Sequence, residues 1–117
     1  MGFLDSEIGA LALSAAIEAP VGWLVARLAR WESRGPSHVA LACAAATAVT
    51  HPQLWAAAAW AYPRFGYWPS LAVLEGAVVG VEGALIAWMA GLRVQRAMLV
   101  SLAANAASLG VGLALAR

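Results

Sequence analysis

The chain has 117 residues, 63% of them hydrophobic and 11% charged, with a net charge of +1. Soluble domains carry roughly 25% charged residues, so the composition excludes an ordinary soluble protein and points to a single all-α integral membrane domain over residues 1–117. All seven cations are arginines set beside apolar runs; they make no basic patch for phosphate, so no nucleic-acid partner is expected.

Asp5 and Glu7 stand where a cleaved signal peptide would be basic, so the N-terminus reads as a mature helix. The first span covers residues 8–29 and carries Glu18 and Pro20 near its centre. Proline frees the carbonyl four residues back, here that of Ala16. Ser14, Glu18 and Gly22 follow at i, i+4 and i+8, a narrow polar and small stripe expected to face a helix bundle. The charged Gly-Pro segment 30–37 is the first loop, and Ser37 is the expected N-cap of the second span, residues 38–62. That span holds Cys43, Thr47, Thr50 and Leu54 on one face, with His51 beside Thr50, while Pro52 frees the carbonyl of Ala48. A single cysteine excludes an intrachain disulfide and a thiolate zinc site. The second loop, 63–70, is aromatic; Trp60, Tyr62, Phe65, Tyr67 and Trp68 read as headgroup-level anchors with no ligand assigned.

The third span, 70–92, is apolar yet contains Glu75 and Glu82. Seven residues on a helix bring both acids to one face, about 10 Å apart along the axis. Gly76, Gly80 and Gly83 form a small-residue seam beside them, the pattern through which another helix approaches closely, so a homo-oligomer is expected. A short turn, 93–96, leads to the fourth span, 97–116, with Ser101, Asn105, Ser108 and Gly112 on one face. Short connections make sequential helices antiparallel neighbours. The expected fold is therefore an up-down antiparallel bundle of four transmembrane helices, with a weak parallel repeat of two hairpins in which Glu18, Trp23 and Arg27 echo Glu82, Trp88 and Arg93. Arg27, Arg30, Arg34, Arg93 and Arg96 fall on one side, Arg64 and Arg117 on the other. The positive-inside rule then places both arginine loops in the cytoplasm of a bacterial inner-membrane protein, with both termini outside.

Glu18, Thr50 with His51, Glu82 and Asn105 all fall near mid-span, which predicts a polar cluster built by four helices. Lipid-facing acids at this depth are severely unfavourable. On the first reading, burial disfavours the charged carboxylate and makes Glu18 and Glu82 proton or cation carriers. Thr47, Thr50, Asn105 and the carbonyls freed by Pro20 and Pro52 would line the path, and Glu75 would be its outer step; so thin a bundle favours a pathway shared between protomers. On the second reading, protonated Glu18 and Glu82 bond to His51, Asn105, Ser101 and Thr50 only to specify packing in an accessory or scaffold subunit. A third reading makes Glu18, His51 and Glu82 metal ligands, but there is no Glu-x-x-His pair of the kind di-iron bundles use, so no metal or cofactor is assigned. No nucleophile motif supports an enzyme.

The pieces Glu18-Ala19-Pro20, Thr50-His51-Pro52, Glu75 with Val81-Glu82-Gly83, and the Ser101–Ser108 face resemble a loose set of small four-span bacterial membrane proteins. That resemblance implies the fold and no activity. In length, span number and a Glu in the first span, the chain is also similar in architecture to the small multidrug resistance transporters, with cationic drug efflux as the implied sub-case of the carrier reading. It departs from them by adding Glu75, Glu82, His51 and Asn105, and its arginine bias implies one fixed orientation.

Overall fold

A computed structural model describes residues 6–30 and 34–115, all of them in or between four helices: α1 (Glu7–Ala29), α2 (Pro36–Phe65), α3 (Tyr67–Ala90) and α4 (Val94–Leu115). Asp5, Arg117 and the end of the fourth expected span lie outside the described residues, as does part of the first loop. Each helix packs on the next and α4 returns against α1, so the four enclose a central axis in a body of 43 × 26 × 21 Å. A helix of 23 residues, such as α1, is about 35 Å long at 1.5 Å per residue, enough for a hydrocarbon layer of about 30 Å.

Local chemistry sets the helix ends. Ser6 caps α1 by accepting from the Gly9 N–H at 3.0 Å. The α2 boundary differs from the Ser37 cap expected: the helix begins at Pro36, a residue whose missing N–H costs nothing in the first turn. Its other end differs more. The helix runs on through Pro63 to Phe65, and Gly66 alone joins it to α3, where a loop over 63–70 was expected. Gly66 has φ +87° and donates to the Tyr62 carbonyl at 3.1 Å, a backbone state that side chains resist. Pro69 is tolerated as the third residue of α3, where no intrahelical donor is needed. At the opposite end, Gly91 closes α3 in the left-handed conformation. Arg34 then covers those last carbonyls, its N–H reaching Ala90 O at 3.2 Å and its guanidinium reaching Met89 O at 2.7 Å. This contact brings the two arginine-bearing connections to the same end of the molecule.

Three helices, α1, α3 and α4, are long and apolar enough to cross a membrane. The reading of four such spans is met only in part, because Thr47, Thr50, His51, Pro52 and Gln53 dilute the apolarity of α2. The outer surface is apolar, with Leu24, Leu41, Val73, Val81 and Leu99 exposed. Trp23 and Trp88 are exposed towards the arginine end, and the Arg27 guanidinium lies 5.3 Å from the Trp23 ring. Trp60, Phe65, Tyr67 and Trp68 are exposed at the other end.

The core fills only one half of the bundle. Ala26, Val39, Ala42, Cys43, Ala46, Ile86, Ala90, Leu92, Ala97 and Val100 form it, all towards the arginine end. So many alanines let the backbones come close. Gly22 and Gly83 bring them closer still. A Cβ at Gly22 would stand 2.5 Å from the Cys43 sulfur, and one at Gly83 would run into the Met98 sulfur. Gly76 and Gly80, expected to share a seam with Gly83, meet nothing within 4 Å and face outward. The seam is thus split: Gly83 packs against Met98 inside the bundle, while Gly76, seven residues back and on nearly the same face, lies two turns towards the hollow end, where no neighbour reaches it.

Candidate functional site: a polar cavity in the bundle

Beyond the packed half the helices enclose a cavity of about 520 Å³. Its wall on α2 is the stripe Thr47, His51, Leu54, Trp55, Ala58 and Tyr62, flanked by Thr50 and Ala59; its wall on α3 is Tyr67, Leu71, Leu74, Glu75, Val78 and Glu82. The two stripes have the same spacing, i, i+4, i+7, i+8, i+11 and i+15, as one continuous helical face must. Ser14 and Glu18 line it from α1, and Asn105, Ser108, Leu109, Gly112 and Leu113 from α4. Trp55, Ala59, Tyr67 and Gly112 are exposed as well as lining it, so the cavity communicates with its surroundings towards the aromatic end. An apolar groove on the outer face of α2 and α3, lined by Val49, Gln53, Ala77 and Val81 among others, shares Thr50, Leu54, Leu74 and Val78 with it.

The acids at its deep end are held differently. Glu82 is 3% exposed and fixed on both oxygens: the Thr50 hydroxyl donates to Oε2 at 2.6 Å and the Asn105 amide to Oε1 at 2.7 Å. The Ala46 carbonyl lies 3.0 Å from the same Thr50 oxygen, a second acceptor for its proton. Asn105 is itself held by the Ser101 carbonyl at 2.9 Å, and Ser101 donates to the Val79 carbonyl at 2.8 Å. This chain staples α4 to α3 and α3 to α2. Glu18, also 3% exposed, stands beside Thr47 and Glu82. Both the Thr47 hydroxyl and the Glu82 carboxyl stand within reach of it, but neither makes the well-aligned bond that Thr50 and Asn105 make to Glu82. Glu75, half-buried, lines the same wall two turns further out.

Two buried groups on the cavity wall lack hydrogen-bond partners: the Thr47 hydroxyl, in a side chain 2% exposed, and Nε2 of His51, 8% exposed. Buried polar atoms are nearly always paired, so both mark a place where the protein alone does not complete its own bonding. The His51 ring leans on Trp55, centroids 5.9 Å apart.

The structure therefore brings Glu18, Thr47, Thr50, His51, Glu75, Glu82, Asn105 and Ser108 onto one cavity. Ser108 donates to the Ser14 hydroxyl at 3.2 Å, joining α4 to α1. Ser101 is fully buried but lies off the cavity, its hydroxyl spent on the Val79 carbonyl. Ala16 and Ala48, whose carbonyls Pro20 and Pro52 free, sit with those prolines on the outward face and line nothing here. Four helices do leave room inside one bundle, where little was expected. Among the described residues no three His, Cys, Asp or Glu side chains group as a metal site. Glu18, His51 and Glu82, the candidates for one, are not such a group. Trp55 is a wall residue that sequence reasoning passed over, and Tyr62 and Tyr67, expected only as headgroup-level anchors, line the wall as well. Extending the Thr47, His51 stripe by helical steps would have found Trp55 and Tyr62; Tyr67 belongs to the matching stripe of α3, beyond the Gly66 turn.

No family model, curated protein or solved structure matches this chain.

Proposed function

We propose that this chain is a small transporter or channel of a bacterial inner membrane, moving protons or a cation through the carboxylates of its central cavity. On this reading α2 is the fourth span of an up-down antiparallel bundle. Thr47, Thr50 and His51, which lower its apolarity, are turned to the cavity, where the cost of polar groups in a membrane is relieved. The termini and the aromatic end face outside, and the arginine connections face the cytoplasm.

The carrying observation is the deep end of the cavity, where Glu18 lies beside the Thr47 hydroxyl and shares the wall with the unpartnered His51 Nε2. Three acids and no arginine line this space, so its field favours a cation. Glu75 is the outer step and Glu18 the working acid. The fully bonded Glu82 fits an acid that positions and stabilises better than one that exchanges its partner.

An accessory or scaffold role is the second reading, and the Thr50, Glu82, Asn105 and Ser101 chain favours it, since such bonds specify helix packing. It leaves Thr47 and His51 unexplained. Self-association through the outward Gly76 and Gly80 belongs to the proposal as well.

Ion flux into proteoliposomes under an imposed pH gradient separates the two. Native protein carrying a flux that Glu18→Gln loses supports the carrier; a well-folded native protein without flux supports the scaffold.

A further inference from the structure

We propose that the cavity binds a primary ammonium ion carried on an apolar body, an alkylammonium or arylalkylammonium. This deepens the transport reading and rests on it for the identity of the site.

Size comes first. A liquid water occupies about 30 Å³, so a space of about 520 Å³ exceeds what a bare inorganic cation fills. Water in a cavity needs two to four polar partners per molecule. The middle of this one offers Leu54, Leu71, Leu74, Val78, Leu109 and Leu113 instead. Those walls suit hydrocarbon. Charge comes next: the acids lie at the deep end and along one wall with no cation opposite them, so the head of the guest is positive and seats at Glu18.

Hydrogen bonding then selects among cations. The Thr47 hydroxyl and His51 Nε2 are more than nine-tenths buried, unpartnered and on the cavity wall. An R–NH₃⁺ group has three donors. One reaches the Glu18 carboxylate and the others can be accepted by the Thr47 oxygen and the imidazole nitrogen. A quaternary ammonium has the same charge and no N–H. It leaves both groups buried and unbonded, which is the costly outcome for a desolvated polar atom. The aromatic rings of Trp55, Tyr62 and Tyr67 line the approach and attract a cation of either kind, so they attract without discriminating.

Calorimetric titration of the full chain in detergent tests this, with phenethylammonium, phenethyltrimethylammonium, 2-phenylethanol and Na⁺ as probes. Saturable binding of phenethylammonium is expected, with the quaternary analogue at least tenfold weaker and no saturable binding of the alcohol or Na⁺. Glu18→Gln is expected to weaken phenethylammonium at least tenfold. Thr47→Val weakens the primary amine severalfold while leaving the quaternary one unchanged, and it carries the test if Glu18→Gln does not fold. Equal or tighter binding of the quaternary ion, or no binding of the primary amine to folded native protein, overturns the assignment. Proton flux measured in amine-free proteoliposomes keeps the two proposals apart. Flux without amine binding overturns this inference alone; selective amine binding without flux supports it and overturns the proton pathway.

Discussion

The two halves of this bundle are made by the same four helices and packed in opposite ways. Towards the arginine connections, alanines and the close approaches at Gly22 and Gly83 pack the described residues tightly, and Arg34 ties one connection to the end of α3. Towards the aromatic end, the same helices hold apart a cavity of about 520 Å³. The boundary is one level of the bundle, where Glu18 is followed one turn on by Gly22 and Glu82 is followed at once by Gly83. Acids at the floor of the hollow half and glycines at the roof of the packed half make a chamber that ends in mid-bundle. Helices of one average composition can seal or open a passage according to which small residue stands next to which acid.

The sharpest way to break this comparison is to substitute the two acids separately. Glu18→Gln is expected to lower proteoliposome flux at least tenfold with the thermal midpoint in detergent unchanged. Glu82→Leu should instead lower stability, by about 1–3 kcal/mol, because the buried Asn105 amide loses an acceptor and the half-buried Thr50 hydroxyl keeps only the Ala46 carbonyl; equal effects of both substitutions on flux and midpoint would erase the division of labour. A comparable loss is expected in the packed half. Gly22→Val drives a side chain into Cys43, an overpacking that costs about 1–3 kcal/mol and is read as a lower unfolding temperature. A smaller effect is expected from Ser101→Ala, which removes one interhelical bond to Val79 worth about 0.6 kcal/mol. Least of all, Gly80→Leu should leave the unfolding of the single bundle within about 0.5 kcal/mol, since nothing stands within 4 Å of it. The same variant is expected to shift the size profile in detergent to a smaller species, and an unaltered profile removes Gly80 from any contact between copies.

Much of the site was legible in the chain. Glu18, Thr47, His51, Glu82, Asn105 and Ser108 stand at helical spacings within their own segments, and periodicity alone turns such residues to a common face. Their meeting at one level followed from counting in from the span ends. What could not be read was how each polar group is spent. Glu18 and Glu82 look alike in sequence, both mid-span and both beside small residues; only the side chains arriving from α2 and α4 separate the doubly bonded acid from the open one. The glycine seam misled for the same reason. Its spacing is right for close packing, but which of Gly76, Gly80 and Gly83 meets a helix depends on the angle at which α4 lies against α3. Pro63 misled in another way: a proline that ordinarily ends a helix is carried here to Phe65, and the turn falls on Gly66.

By itself the sequence determined four helices, their approximate limits, the apolar exterior of three of them and the inward placement of the acids. Each of these follows from local periodicity and the cost of exposing charge to hydrocarbon. Tertiary structure alone decided that the bundle is solid at one end and hollow at the other, that Ser101 is a staple and no part of the wall, and that the Thr47 and His51 side chains go without partners. Those outcomes depend on distances between helices, which are set by the pairs of side chains that meet across each interface and are written in no single segment.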